Sequence, residues 1–123
     1  MARYVIDQKV AIGVTKAVTK PKARIEEIYV NGTKVYPYTY TQPKVSKKAG
    51  DKVTVTVRVR NTGDGSGILW CQIIDKDTGY VPEGFKAMES ASAVSPGSVY
   101  TFSFSETMPN RDWHLEVWAG HVE

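Results

Sequence analysis

The sequence predicts an all-β protein, an antiparallel β-sandwich of about seven strands around one core. Three observations predict it. Valine occurs 16 times and leucine only twice among the 123 residues, with 11 threonines and 7 isoleucines. β-Branched side chains suit a pleated strand, whereas leucine suits helices. Val53, Val55, Val57 and Val59 alternate without a break against Lys52, Thr54, Thr56, Arg58 and Arg60, the period of two that sends successive side chains to opposite faces. Clusters of turn-forming residues recur every ~8 to 20 residues, the spacing of short sandwich strands.

The elements follow in order. Tyr4 to Val14 reads as a strand, with Val10, Ile12 and Val14 on one face and Ala11 and Gly13 on the other. Residues 15–23, TKAVTKPKA, are basic and hold a proline, and so form a connector. The chain thus divides into an N-terminal strand and basic connector, 1–23, and one sandwich domain, 24–123. Arg24 to Val30 is a strand, Asn31-Gly32 a hairpin turn, and Lys34 to Thr41 the return, which Pro37 marks as an edge strand or a non-strand. Lys47 to Asp51 turns into the valine strand. Asn61 to Gly67 then leads to a strand at Ile68 to Asp75, either paired with the valine strand or lying opposite it. After the Lys76 to Gly79 turn, the mixed segment Tyr80 to Ala93 holds one short strand around Phe85 to Glu89. Ser95-Pro96-Gly97 turns into the alternating Tyr100, Phe102, Phe104 strand. Trp113 to Ala119 is last, with Trp113, Leu115 and Val117 on one face and His114, Glu116 and Trp118 on the other.

Composition bounds the function classes. A chain of 123 residues buries enough surface to fold without disulfide or metal support. The single cysteine, Cys71, excludes an intrachain disulfide and sits in an apolar strand as a buried, inert thiol. Asp7, Gln8 and Lys9 interrupt the N-terminal apolar residues, so no signal peptide is expected, which suggests a cytoplasmic or virion-associated protein. No run approaches the roughly 20 apolar residues of a membrane span. Residues 1–60 carry 13 Lys/Arg against 4 Asp/Glu, a net of +9; residues 61–123 carry 3 against 9, a net of −6, and the two sum to +3. Such a bipolar chain either solvates its strand faces, attracts its own copies, or binds nucleic acid with the basic half. Three asparagines and three glutamines are few, as in thermophilic proteins.

The pattern AGDKVTVTVRVRNTGDGSG, a strand, and then SPGSVYTFSFSETMPNRDWHLEVWAG resembles immunoglobulin-like modules of surface proteins. It is similar to the CARDB type (cell-adhesion-related domain found in bacteria), with its "VRNTG" and later "PG" turns. The SETMPNRDWHLEVWAG ending also resembles immunoglobulin-like domains of archaeal and archaeal-virus proteins. The resemblance covers about residues 24–120 and implies an immunoglobulin-like sandwich used for adhesion, spacing or assembly, with no shared catalytic residues. Sandwiches of that family follow the Trp113 to Ala119 strand with one more, and Glu123 arrives too soon for it. The Arg3 to Val14 strand is expected to fill that position, in its own chain or by insertion into a neighbouring copy. A free arm or an additional edge strand are the alternatives.

The candidate interaction residues are accordingly Tyr4, Ile6, Val10, Ile12 and Val14. To these add Tyr36, Tyr38 and Tyr40 on one face of the return strand, either a sugar-stacking platform or caps on the core and edge, and Trp70 and Trp118, either outward contacts or rings packed at the sheet edge. No catalytic constellation, cofactor motif or complete metal-ligand set is present. His114 with Glu116 is a spacing common on solvated strands, and Asp75, Asp77 and Glu83 lack the other ligands of a calcium loop. The leading expectation is a non-catalytic structural or assembly module, a surface or virion component whose partner is itself or another protein. A carbohydrate- or ligand-binding accessory domain and a nucleic-acid binder are the alternatives.

Overall fold

The computed structural model describes residues 21–123. The expected strand at Tyr4 to Val14, with its contact residues Tyr4, Ile6, Val10, Ile12 and Val14, lies outside them, as does most of the connector. Seven strands form two antiparallel sheets: β1 (Ala23–Val30), β2 (Thr33–Tyr36), β3 (Lys52–Asn61), β4 (Leu69–Asp75), β5 (Met88–Glu89), β6 (Val99–Thr107) and β7 (Leu115–His121). The first sheet runs β2-β1-β3-β6 and the second β5-β4-β7. The protein is an all-β sandwich, as its composition predicts.

β3 is the spine. Its four valines are at most 4% exposed, while its threonines and arginines turn outward. β6 pairs with it in unbroken register, setting Phe102 beside Val57 and Phe104 beside Val55. Leu69, Cys71 and Ile73 come down from the second sheet, each wholly buried, to complete the core. Burying each such aliphatic side chain contributes on the order of 1.5–3 kcal/mol. β3 and β4 therefore lie in different sheets. Of the two arrangements open to the sequence, opposition is the one adopted, and residues 61–68 cross between layers.

β1 shows how a broken pattern is repaired. Ile25 and Ile28 are three residues apart, which a regular strand would place on opposite faces. A bulge between Ile25 and Glu27 takes up the extra residue, so Ile25 pairs with Val59 and Ile28 with Val57, both toward the core. Asn31 and Gly32 both have positive φ, 49° and 84°, which a two-residue type I′ hairpin requires.

Three expectations need correction. The return strand ends at Tyr36, not Thr41, because Pro37 has no N–H to continue a ladder. Phe85 to Glu89 is not one strand: Glu83–Phe85 is a single 3-10 turn, and only Met88–Glu89 pairs with β4. β7 starts at Leu115 and reaches His121, two residues beyond the expected end.

Candidate functional site

The second sheet has an edge with no strand on it among the described residues: β7 pairs with β4, and nothing described pairs with its other side. Lys76 N–H donates to His114 O, and Val122 N–H donates to Ile68 O. Antiparallel pairing alternates the direction of the backbone groups. Glu116, Trp118 and Gly120 therefore face β4, and Leu115, Val117, Ala119 and His121 turn their N–H and C=O groups to the open edge. A row of such groups is a template for another strand.

Burial marks the same edge. Leu69, Cys71 and Ile73 on β4 are wholly covered, yet Ala119 and Val117, in register with Cys71 and Ile73, and Leu115 on the same inner face are only half-buried. Across the sandwich, Ile25, Ile28 and Val30 of β1 are half-buried too and pack against the same core. The two rows form an apolar lip along one side of the molecule. A strand laid beside β7 would cover it.

The aromatic candidates are not brought together. Tyr36 ends β2, while Tyr38 and Tyr40 follow in irregular chain, and Tyr40 is 93% exposed. The single tyrosine face expected of a sugar platform is absent from this segment, because no strand extends past Pro37. Trp70 and Trp118 do share the outer face of the second sheet. Trp118 is half-exposed and donates its Nε1–H to Glu116 Oε1 at 2.8 Å. The Trp70 indole lies across Gly120, where an added Cβ would meet Nε1 at 2.6 Å.

The basic half is partly neutralised. Arg58 and Lys34 reach Glu27 at 2.7 and 3.2 Å, and Arg24 and Arg60 both contact Glu26. The bulge sets both glutamates on the arginine-bearing face. Hydrogen bonds from Arg24 and Arg60 hold Glu26, and those from Arg58, Tyr29 and Lys34 hold Glu27, below the usual carboxylate range.

At the start of β7, buried Asp75 accepts from Asp77 N–H at 3.0 Å, from Trp113 Nε1–H at 3.2 Å and from Arg111. Burial pushes its carboxyl up, but these donors, Arg111 foremost, outweigh that and hold it below its ordinary value. Glu106 is held low by the N–H groups of Gly84 and Thr107, each at 2.8 Å. Carboxylates depressed in the folded state give stability that is complete above their unfolded pKa, near ~4. That stability is lost as pH falls through the lower folded values. The urea midpoint should thus stay level from about pH 7 to 5 and fall below about pH 4. Asp75→Asn should flatten the fall, and equal midpoints at pH 3 and pH 7 would contradict it.

Among the described residues no three or more His, Cys, Asp and Glu side chains are grouped to hold a metal ion. No helix there is long and apolar enough to cross a membrane. Burial pushes the Cys71 thiol up to about 12, so it is a poor nucleophile. The β7 edge groups carry no sequence motif, and only the Leu115, Val117, Ala119 alternation points to them. Comparison with protein-family models, with curated proteins and with solved structures finds no match for this chain.

Proposed function

We propose that this chain is a non-catalytic, immunoglobulin-like assembly module of a surface or virion-type structure, which associates with its own kind by accepting a β-strand along β7. The observation that carries the reading is the coincidence at one edge of outward-facing backbone groups on Leu115, Val117, Ala119 and His121 with a half-covered apolar lip. Backbone hydrogen bonds would supply affinity there, and the lip would select a strand with alternating apolar residues. The N-terminal strand expected at Tyr4 to Val14 has that alternation.

Ala119→Pro tests the reading. Proline removes one outward N–H and obstructs the edge, and it spares the ladder to β4, as edge positions allow. Light scattering should show the parent chain above its monomer mass and the Ala119→Pro chain at it, with the circular dichroism of the two superimposable. A parent chain that stays at monomer mass across concentration, with or without salt, would overturn the proposal.

A further inference from the structure

Resting on that reading, the geometry points to the occupant and its direction: residues 10–14 of a neighbouring copy, running antiparallel to β7, so that copies join head to tail. The lip needs a strand with apolar residues at every second position on one face. Val10, Ile12 and Val14 provide it, with Ala11 and Gly13 turned away.

Direction follows from where the chain enters its own domain. Lys22 N–H donates to Asn61 Oδ1 at 3.1 Å, Lys22 O accepts from Thr62 N–H at 2.7 Å, and Pro21 lies against Gly67. That anchor is at the end of the sandwich where β7 finishes, since His121 pairs with Leu69 and Val122 bonds Ile68. Seven peptide steps separate Val14 from Pro21, a reach of at most about 24 Å. Within one copy, a strand ending at Val14 near this anchor would run parallel to β7. An antiparallel strand of the same copy would put Val14 beside Leu115, about 20 Å up the strand, with a crossing of the sheet edge added. The connector would have almost no slack. Every described strand pair in both sheets is antiparallel, the better-bonded arrangement.

A neighbouring copy escapes the constraint. Its basic connector would leave the β7 edge beyond Leu115 and pass toward Asp112 and Glu116 of the acceptor, with Asp77 there already bridged by Arg111 and His114. The charges are complementary. Donor and acceptor surfaces differ, so one-way donation is heterologous and runs on into a chain or a ring, whereas two copies exchanging strands reciprocally would stop at a pair and cross-link to a dimer alone, which would overturn head-to-tail joining.

Two experiments on the full chain test this. The first mixes Ala119→Pro, blocked as acceptor, with Ile12→Asp, blocked as donor. Each alone should have monomer mass, and the mixture should form a one-to-one dimer, because one intact edge meets one intact strand. A mixture that remains monomeric overturns exchange between copies. The second uses cysteine pairs, with buried Cys71 as a silent background. Val14→Cys with Leu115→Cys, and Val10→Cys with Ala119→Cys, should oxidise to a ladder of multimers. If Val14→Cys with Ala119→Cys links separate chains instead, the donated strand runs parallel, and the inference fails while the assembly reading survives; if that pair closes within a single chain, the strand fills the edge of its own domain and both fail. Should no pair cross-link, both fail.

Discussion

Phe85→Ala is expected to lower the unfolding free energy by about 3–5 kcal/mol, the range for deleting a buried phenyl ring, read as a urea midpoint shift at constant m-value. Phe85 is wholly buried. Its ring stacks on Trp113 at 5.2 Å between centroids and meets the edge of Phe104 at 6.4 Å, so it bridges the second sheet's approach to β7 and the first sheet's β6. Alanine would leave a cavity walled by two aromatic rings that the surrounding strands hold apart. Phe85→Leu should recover more than half of the loss. Loss within 1 kcal/mol of zero for the alanine variant would mean that the 3-10 turn is peripheral. The turn sits close to β6: an added Cβ on Gly84 would lie 1.8 Å from Ser105 O, a backbone atom with little room to retreat. Gly84→Ala should therefore damage the same plug from the backbone side.

Which parts of this fold were readable from sequence follows from physics. β3, β6 and β7 carry uninterrupted two-residue periods, and the sheets place those residues as the period requires. Asn31-Gly32 gave its hairpin because few other dipeptides tolerate two positive φ values. β1 was readable as a strand but not in its facing, since the bulge is settled by Val57 and Val59 across the ladder. Phe85 was hidden because a 3-10 turn has no periodicity, and a long-range contact with Trp113 decides its burial. Sheet membership was equally out of reach: the 61–68 segment reads as a turn, and only packing decides whether a turn pairs its strands or hands the chain to another layer. The candidate edge was legible only as the Leu115, Val117, Ala119 alternation. Its register, its outward groups and the lip beneath it required β4 and β1 to be placed first.

Asn61 is the residue the sequence most undersells, and Asn61→Ala should cost about 3 kcal/mol, the scale for stripping a buried hydrogen-bonding hub. Asparagine at the head of NTGDGSG reads as ordinary turn chemistry. In the sandwich it is wholly buried at the end of β3. Its Nδ2 donates to Gly65 O at 2.9 Å and Val94 O at 2.8 Å, while its Oδ1 accepts from Gly63 N–H at 2.9 Å and Lys22 N–H at 3.1 Å. One side chain thus ties the crossover between sheets, the approach to β6 and the entry of β1. Alanine removes both donors and the acceptor together and strips the buried Gly65 O of this donor, while Val94 O keeps Gly67 N–H; an unsatisfied buried group costs more than the bond itself contributes. Amide exchange should show the damage locally, with Gly63 and Lys22 losing protection ahead of the β3 valines. Because the β7 edge shares none of these bonds, Asn61→Ala and Ala119→Pro should be additive in stability. Asn61→Ala should leave the edge itself intact, so a loss of assembly at concentrations where the variant is folded would tie the β1 anchor directly to the strand that leaves it.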